Sequence, residues 1–446
     1  MGNPHVLVIP CPAQGHVIPL LELSQCLVKH GIRITFVNTD NKIVNVPSTK
    51  NGENNQIHLV SVFVGLESPE PEKLVEGVLK FMPRKVEELI ENIDASDSDK
   101  ITCVLTDDLH SWPMEIAVQK GIKGAVFYPS AATQLVFGSN VQKLIDDGVI
   151  NNDGTTKKQV FQMSPTMPAM STDHLWWTSY KNTKLTKMVF DNMVRCNRSR
   201  KLADKILCNS TYDLEAAAFD MNPNIIPIGP LLASSRCEDT GGSFWQEDFN
   251  CFKWLDQQQP QSVIYIAFGS STILDRTQFH ELALGLELSN RPFLWVVRPN
   301  IIDDMSDAYP EGFLDRVASR GHIVSWAPQQ KVLAHTSISC FLSHCGWNST
   351  MEGVSNGLPF LCWPYFADQF LNRTYICDIW KVGLAFTKDE KEVIRREEIR
   401  SKVDQLLDNA EYRTRVLHLK EIVMNNIREG GCSYKNFMNF IEWIKE

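Results

Sequence analysis

The chain has 446 residues, enough for two domains at roughly 100 to 200 residues each, and its 43% apolar and 22% charged content excludes disorder and fibre. A formal net charge of -9 disfavours nucleic acid and anionic membranes as partners, so an anionic ligand must be held by a local arrangement of amides and side chains. The twelve cysteines form no C-x-x-C pair, and several, such as Cys103, Cys340 and Cys362, sit in apolar runs, which reads as reduced core thiol in a cytoplasmic protein.

The opening MGNPHVLVIP has no basic region and too short an apolar run for a secretory signal, and the closing EWIKE is no membrane tail. From His5 to about Pro230, short β-branched runs alternate with helical patterns: VLVI, IRITFVN, IHLVSVF, ITCVLT, GAVFY, KILCN and NIIPI are the predicted strands of a parallel sheet. The polar, glycine-containing SSRCEDTGGSFWQED then reads as a linker. A second β/α series follows, with strands at SVIYIAFGS, PFLWVV, HIVSW, ISCFLSH and LPFLCW. The expected division is an N-terminal domain over 1–235, a linker over 236–255 and a C-terminal domain over 256–429. In open α/β sheets ligands bind beyond the carboxyl ends of the strands, so two such domains facing each other enclose a cleft where the chemistry belongs.

The first strand end offers His16, in CPAQGH, just ahead of a helix whose Val17, Leu20, Leu21, Ser24 and Leu27 follow helical spacing. The positive end of a helix disfavours imidazolium, so a histidine there stays neutral and suits a general base. A histidine that merely bonds the helix start is the plainer alternative. Asp107, where ITCVLT gives out before Trp112 and Pro113, is the candidate carboxylate to orient His16; Asp108 is its near rival.

In the second series, FGSS matches neither G-x-G-x-x-G nor a P-loop, yet Ser270 and Thr272 are placed to touch phosphate. Trp326 ends a predicted strand and offers a flat face to a nucleobase or to packing. ISCFLSHCGWNSTMEGVSNG reads as a strand, a glycine turn and a short helix opened by Ser349. Its free amides bind an anion without metal, and His344, Asn348 and Ser349 add side-chain donors. Ser349 and Glu352 also fit a capping box, in competition with a Glu352 that reaches outward to ribose hydroxyls. Asp368 and Gln369 form a polar pair suited to sugar hydroxyls, or else a helix-start acid with a solvated neighbour. Cys340, His344 and Cys345 lack zinc spacing, so no metal is expected.

The 44 residues from Trp326 to Gln369 closely resemble the signature box of plant family 1 UDP-glycosyltransferases, without a gap, and PCPAQGH and FGS are similar to that family as well. The resemblance implies a GT-B fold, α/β, with two Rossmann-like domains and a last helix, about 430–446, returning to the N-terminal domain. It implies that His16 deprotonates the acceptor, with Asp107 rather than Asp108 as its partner. It assigns Trp326 to uracil, the Ala327 backbone and Gln329 to the nucleoside, Glu352 to ribose, and His344, Asn348, Ser349 and the amides from Gly346 to the diphosphate. Trp347, Asp368 and Gln369 border the sugar, the glutamine pointing to glucose. Thr336 and Gly353 depart from the family's usual proline and serine.

The expected activity is inverting transfer of glucose from UDP-glucose to a hydroxyl of a small lipophilic acceptor such as a terpenoid or phenol, as in plant secondary metabolism. No cofactor besides the donor, no metal, no nucleic acid and no membrane insertion are expected, and the protein is expected to be a cytoplasmic monomer. Transfer to carbon or nitrogen on the same donor site, and a binding protein without turnover, are the alternatives. Trp176 and Trp177, in STDHLWWTSYKN, are candidates for the acceptor pocket or for packing.

Overall fold

The computed structural model of the protein describes residues 4–39, 57–62, 71–95, 100–179, 182–231, 245–302 and 308–446. The backbone divides into two compact units, Met1–Phe244 with Asn425–Glu446, and Trp245–Met424. Of the expected linker, 236–244 lie outside the described residues; the rest carries a short helix, Cys251–Leu255, with Cys251 and Leu255 buried.

In the first unit β1 (His5–Ile9), β2 (Arg33–Thr39), β3 (Ile57–Val62), β4 (Cys103–Asp107) and β5 (Lys123–Tyr128) precede a short antiparallel pair, β6 (Val160–Phe161) and β7 (Met170–Ser171). β8 (Lys205–Cys208) and β9 (Ile225–Pro227) complete a seven-stranded parallel sheet in the order β3-β2-β1-β4-β5-β8-β9. The inner strands are apolar over most of their length because both faces of the sheet are covered. Val6, Val8, Ile34, Phe36 and Leu105 enter one core cluster, while Leu7, Ile9, Val37 and Val104 enter the other. Met82, Val86 and Ile90, four apart on the helix Pro71–Asp94, pack on the second face. The last helix, Cys432–Lys445, seats Phe437, Phe440, Ile441 and Ile444 in the first cluster.

The second unit holds β10 (Val263–Ala267), β11 (Phe293–Val296), β12 (Gly321–Val324), β13 (Ile338–Ser343), β14 (Phe360–Cys362) and β15 (Gly383–Ala385), all parallel, in the order β12-β11-β10-β13-β14-β15. Five of these follow the predicted runs. β15 does not, being three residues long and containing glycine, which leaves no β pattern to read. Among the described residues no helix is long and apolar enough to cross a membrane.

In both sheets the chain reverses direction of travel at one place, between β1 and β4 and between β10 and β13. The loops at such a switch point diverge to opposite faces and leave a crevice at the carboxyl ends of the strands.

Candidate active site

His16 and Asp107 stand at the first of these switch points. The helix Gln14–Val28 begins after Ala13, so His16 lies in its first turn, and Asp107 is the last residue of β4. β1 and β4 pair with Ile9 opposite Thr106, which sets the two loops side by side. His16 Nδ1 lies 2.8 Å from Asp107 Oδ2. The other carboxylate oxygen accepts the Leu109 backbone N–H at 2.9 Å, capping the turn Asp108–His110. Asp107 therefore also does the local work of a helix-start acid, and that anchoring fixes the oxygen aimed at the imidazole.

Asp108 faces elsewhere. Its two oxygens take a forked pair of bonds from the Arg200 guanidinium, with Arg200 Nη2 2.7 Å from Asp108 Oδ2, and both residues are buried. His110, which sequence reading passed over, is buried near the His16–Asp107 pair, and burial lowers its pKa to about 4, so it stays neutral.

In the second unit His344 follows β13, and β10 beside it leads into Gly269. A Cβ at Gly269 or at Gly346 would lie 2.6 Å from His344 Nε2, so both positions are glycine to make room for the ring. Gly269 also has φ +64, in the left-handed region. Burial lowers the His344 pKa to about 4, and a neutral ring offers one donor and one acceptor rather than a charge. Arg298, absent from the sequence-derived set, is buried and ties the loop from beneath, its Nε donating to Gly269 O at 3.1 Å. Thr272 Oγ1, His344 Nδ1 and Arg298 Nη2 are buried with no hydrogen-bond partner among the described residues. Ser270 is half-buried, its hydroxyl 3.3 Å from that of Ser271.

The helix opens at Trp347, not at Ser349: Gly346 is its N-cap, and Ser349 lies within the first turn. The capping box is therefore not formed. Cys345, at φ +65, turns the chain out of β13, a left-handed non-glycine conformation costing about 1 to 2 kcal/mol. The Trp347 N–H donates to Asp368 Oδ2 at 3.3 Å, so an acid from another loop meets this helix start. Asn372 Nδ2 holds the same oxygen at 2.8 Å and Cys345 O at 2.8 Å, binding the two loops together.

Glu352 projects toward the neighbouring helix Gln329–Leu333. Gln329 Nε2 reaches Glu352 Oε2 at 2.7 Å and Ser349 Oγ at 2.8 Å, and Gln330 Nε2 reaches Glu352 Oε1 at 3.4 Å. Desolvation raises the Glu352 carboxyl to about 7, against the pull of those amides. Trp326 is half-buried and stacks on Trp245 with ring centroids 5.9 Å apart and planes at 25°. Ala327 is buried. Gln369 Oε1 accepts the Tyr365 and Phe366 N–H groups at 2.7 and 3.1 Å, folding its own loop. The Trp347 ring is buried, 6.4 Å from that of Trp380. Asn348 is half-buried.

The structure thus brings His16 to Asp107 in one unit and gathers His344, Gly346, Asp368, Ser349, Gln329 and Glu352 in the other. In the first unit Trp177 is fully buried, with Nε1 donating to Gly154 O at 3.1 Å, and belongs to the core; Trp176 is half-buried beside it.

A family model described as UDP-glucoronosyl and UDP-glucosyl transferase matches residues 141–426. The chain is 47% identical to UDP-glycosyltransferase 83A1 of Arabidopsis thaliana, over 100% of this chain and 97% of that protein. It is similar in structure to UGT2 of Phytolacca americana complexed with UDP-2-fluoro-glucose and pterostilbene, at a TM-score of 0.84 and 25% identity, with 100% of both chains covered. A UDP-glucosyltransferase from Polygonum tinctorium capable of glucosylating indoxyl matches at a TM-score of 0.84 and 27% identity, again with 100% of both chains covered. The chain therefore belongs to the plant family 1 UDP-glycosyltransferases, enzymes of the GT-B fold class that transfer sugar to small acceptors.

Proposed function

We propose that the protein transfers glucose from UDP-glucose to a hydroxyl of a small lipophilic acceptor, inverting the anomeric carbon, with His16 as general base. The observation that carries this reading is the 2.8 Å contact from His16 Nδ1 to Asp107 Oδ2. A carboxylate there holds the proton on Nδ1 and leaves the lone pair on Nε2 to receive the acceptor proton. As the acceptor oxygen bonds to C1, the bond from C1 to the diphosphate breaks, UDP leaves with the electron pair, and Asp107 stabilises the imidazolium. The leaving charge falls to the amide end at Gly346 and Trp347 with His344, Asn348 and Ser349; Ser270 and Thr272 add hydroxyls. Trp326 takes the uracil, the Ala327 backbone and Gln329 the nucleoside, Glu352 the ribose, and Asp368 and Gln369 the sugar hydroxyls.

Glucose is supported by the two structural relatives, one solved with a fluoro-glucose donor and the other a glucosyltransferase. Pterostilbene and indoxyl, named with those proteins, support a flat, lipophilic, hydroxyl-bearing acceptor. The same reading makes the enzyme a cytoplasmic monomer that needs neither metal nor cofactor beyond its donor. Pairing several UDP-sugars with a panel of lipophilic alcohols and phenols, with mass and anomeric configuration of the products as readout, decides the matter. A β-glucoside formed from UDP-α-glucose is the expected product; retention at C1, or transfer from every donor except UDP-glucose, contradicts the proposal.

A further inference from the structure

We infer that the base of this enzyme doubles as an inhibitory site for a thiophilic divalent cation such as Zn2+, with Cys11, His16 and Asp107 as its ligands. One ligand atom from each of the three lies within 4.8 Å of the other two. Cys11 and His16 are partly exposed while Asp107 is buried, so a cation from solvent meets the sulfur and the imidazole first. Bonds of about 2.3 Å to sulfur and about 2.0 Å to nitrogen and oxygen place tetrahedral ligands about 3.3 to 3.6 Å apart. Opening the 2.8 Å contact from histidine to aspartate and drawing the three atoms, all within 4.8 Å of one another, toward a common centre reaches that geometry.

A sulfur, a nitrogen and one carboxylate oxygen form a borderline-soft set that favours Zn2+ or Co2+ and offers little to Mg2+ or Ca2+, which take oxygen ligands. The Leu109 N–H on the far oxygen of Asp107 already supplies the second hydrogen bond that orients a ligating carboxylate. Sequence spacing conceals the set, since Asp107 lies 91 residues from His16. The cation shared with Asp107 takes Nδ1, the nitrogen that faces the carboxylate, in place of its proton; the remaining proton then sits on Nε2 and no lone pair is left to receive one from the acceptor.

Inhibition rests on the His16 reading, but binding does not, so the two are measured separately. Metal-free full-length enzyme is titrated with Co2+ while the thiolate-to-cobalt charge-transfer absorption is followed, and Zn2+ is titrated into the glucosylation assay. Expected are a charge-transfer band absent with C11S, Zn2+ inhibition reversed by chelator, no effect of Mg2+, and at least about tenfold weaker inhibition of C11S. A circular dichroism spectrum and a urea midpoint close to the parent's report that the variant is folded, and C11A replaces C11S if it is not. No band, or a band that persists in C11S and C11A, overturns the site. A band lost with C11S alongside undiminished turnover of the metal-bound enzyme upholds the site and overturns His16 as the base.

Discussion

Asp107 and Asp108 follow the same apolar run, yet one carboxylate meets an imidazole and the other a guanidinium. Their replacements should separate accordingly. D107A is expected to lower kcat about 100-fold or more, with little change in UDP-glucose affinity, because it removes the partner of the imidazolium. D108A strands the buried Arg200 charge and should cost about 3 to 5 kcal/mol of stability, read from urea denaturation. Glu352 sets a pH dependence of its own. Its carboxyl is raised to about 7 in the free protein, and the ribose hydroxyls proposed to meet it would favour the ionised form. Donor binding should therefore release a proton and tighten as pH rises toward 7, levelling above it, whereas the stability that the protonated carboxyl gives the free protein at low pH is lost as pH rises through 7. UDP-glucose is the ligand to use in the calorimetry, since free UDP has a phosphate ionisation near pH 6. Affinity equally pH-dependent in E352Q would contradict the assignment.

At the scale of elements, the turn after β10 and the turn after β13 are fitted around one imidazole. G269A brings a methyl within 2.6 Å of His344 Nε2 and forces a side chain into the left-handed region. We expect UDP-glucose affinity to fall at least about tenfold, with acceptor-side chemistry at His16 untouched, as seen by isothermal titration. The strands and turns that frame these loops were legible, because apolar runs end sharply at Pro10, Asp107 and His344. Less legible was which loops adjoin, since sheet order is a nonlocal outcome that periodicity does not carry. The S-x-x-E pattern at Ser349 misplaced the helix start because Gly346 and a distant acid, Asp368, do the capping. Gly353, where serine is usual in the family, has its own explanation: a Cβ there would lie 2.4 Å from Phe360 Cζ, so the phenyl ring occupies the space. Nothing in the local pattern marked Arg298, Gln330 or His110, whose importance arises from burial against parts of the chain distant in sequence.

On the scale of the molecule, each unit is closed by residues remote from its first strand. Phe440, buried among β1, β2 and β4 side chains, belongs to the last helix of the chain. F440A should lower stability by about 3 to 5 kcal/mol in chemical denaturation while UDP-glucose affinity, a property of the second unit, stays within twofold. In the proposed function the two units carry halves of one reaction: a proton acceptor in the first, and an anion and nucleoside cradle in the second. The proposal stands on their acting on one acceptor and donor pair. The most direct measurement is the turnover of H16A with UDP-glucose and the best acceptor, alongside its affinity for UDP-glucose. The account predicts kcat lowered about 100- to 10,000-fold with donor affinity unchanged; turnover within a few-fold of the parent enzyme would show that the proton leaves by another route.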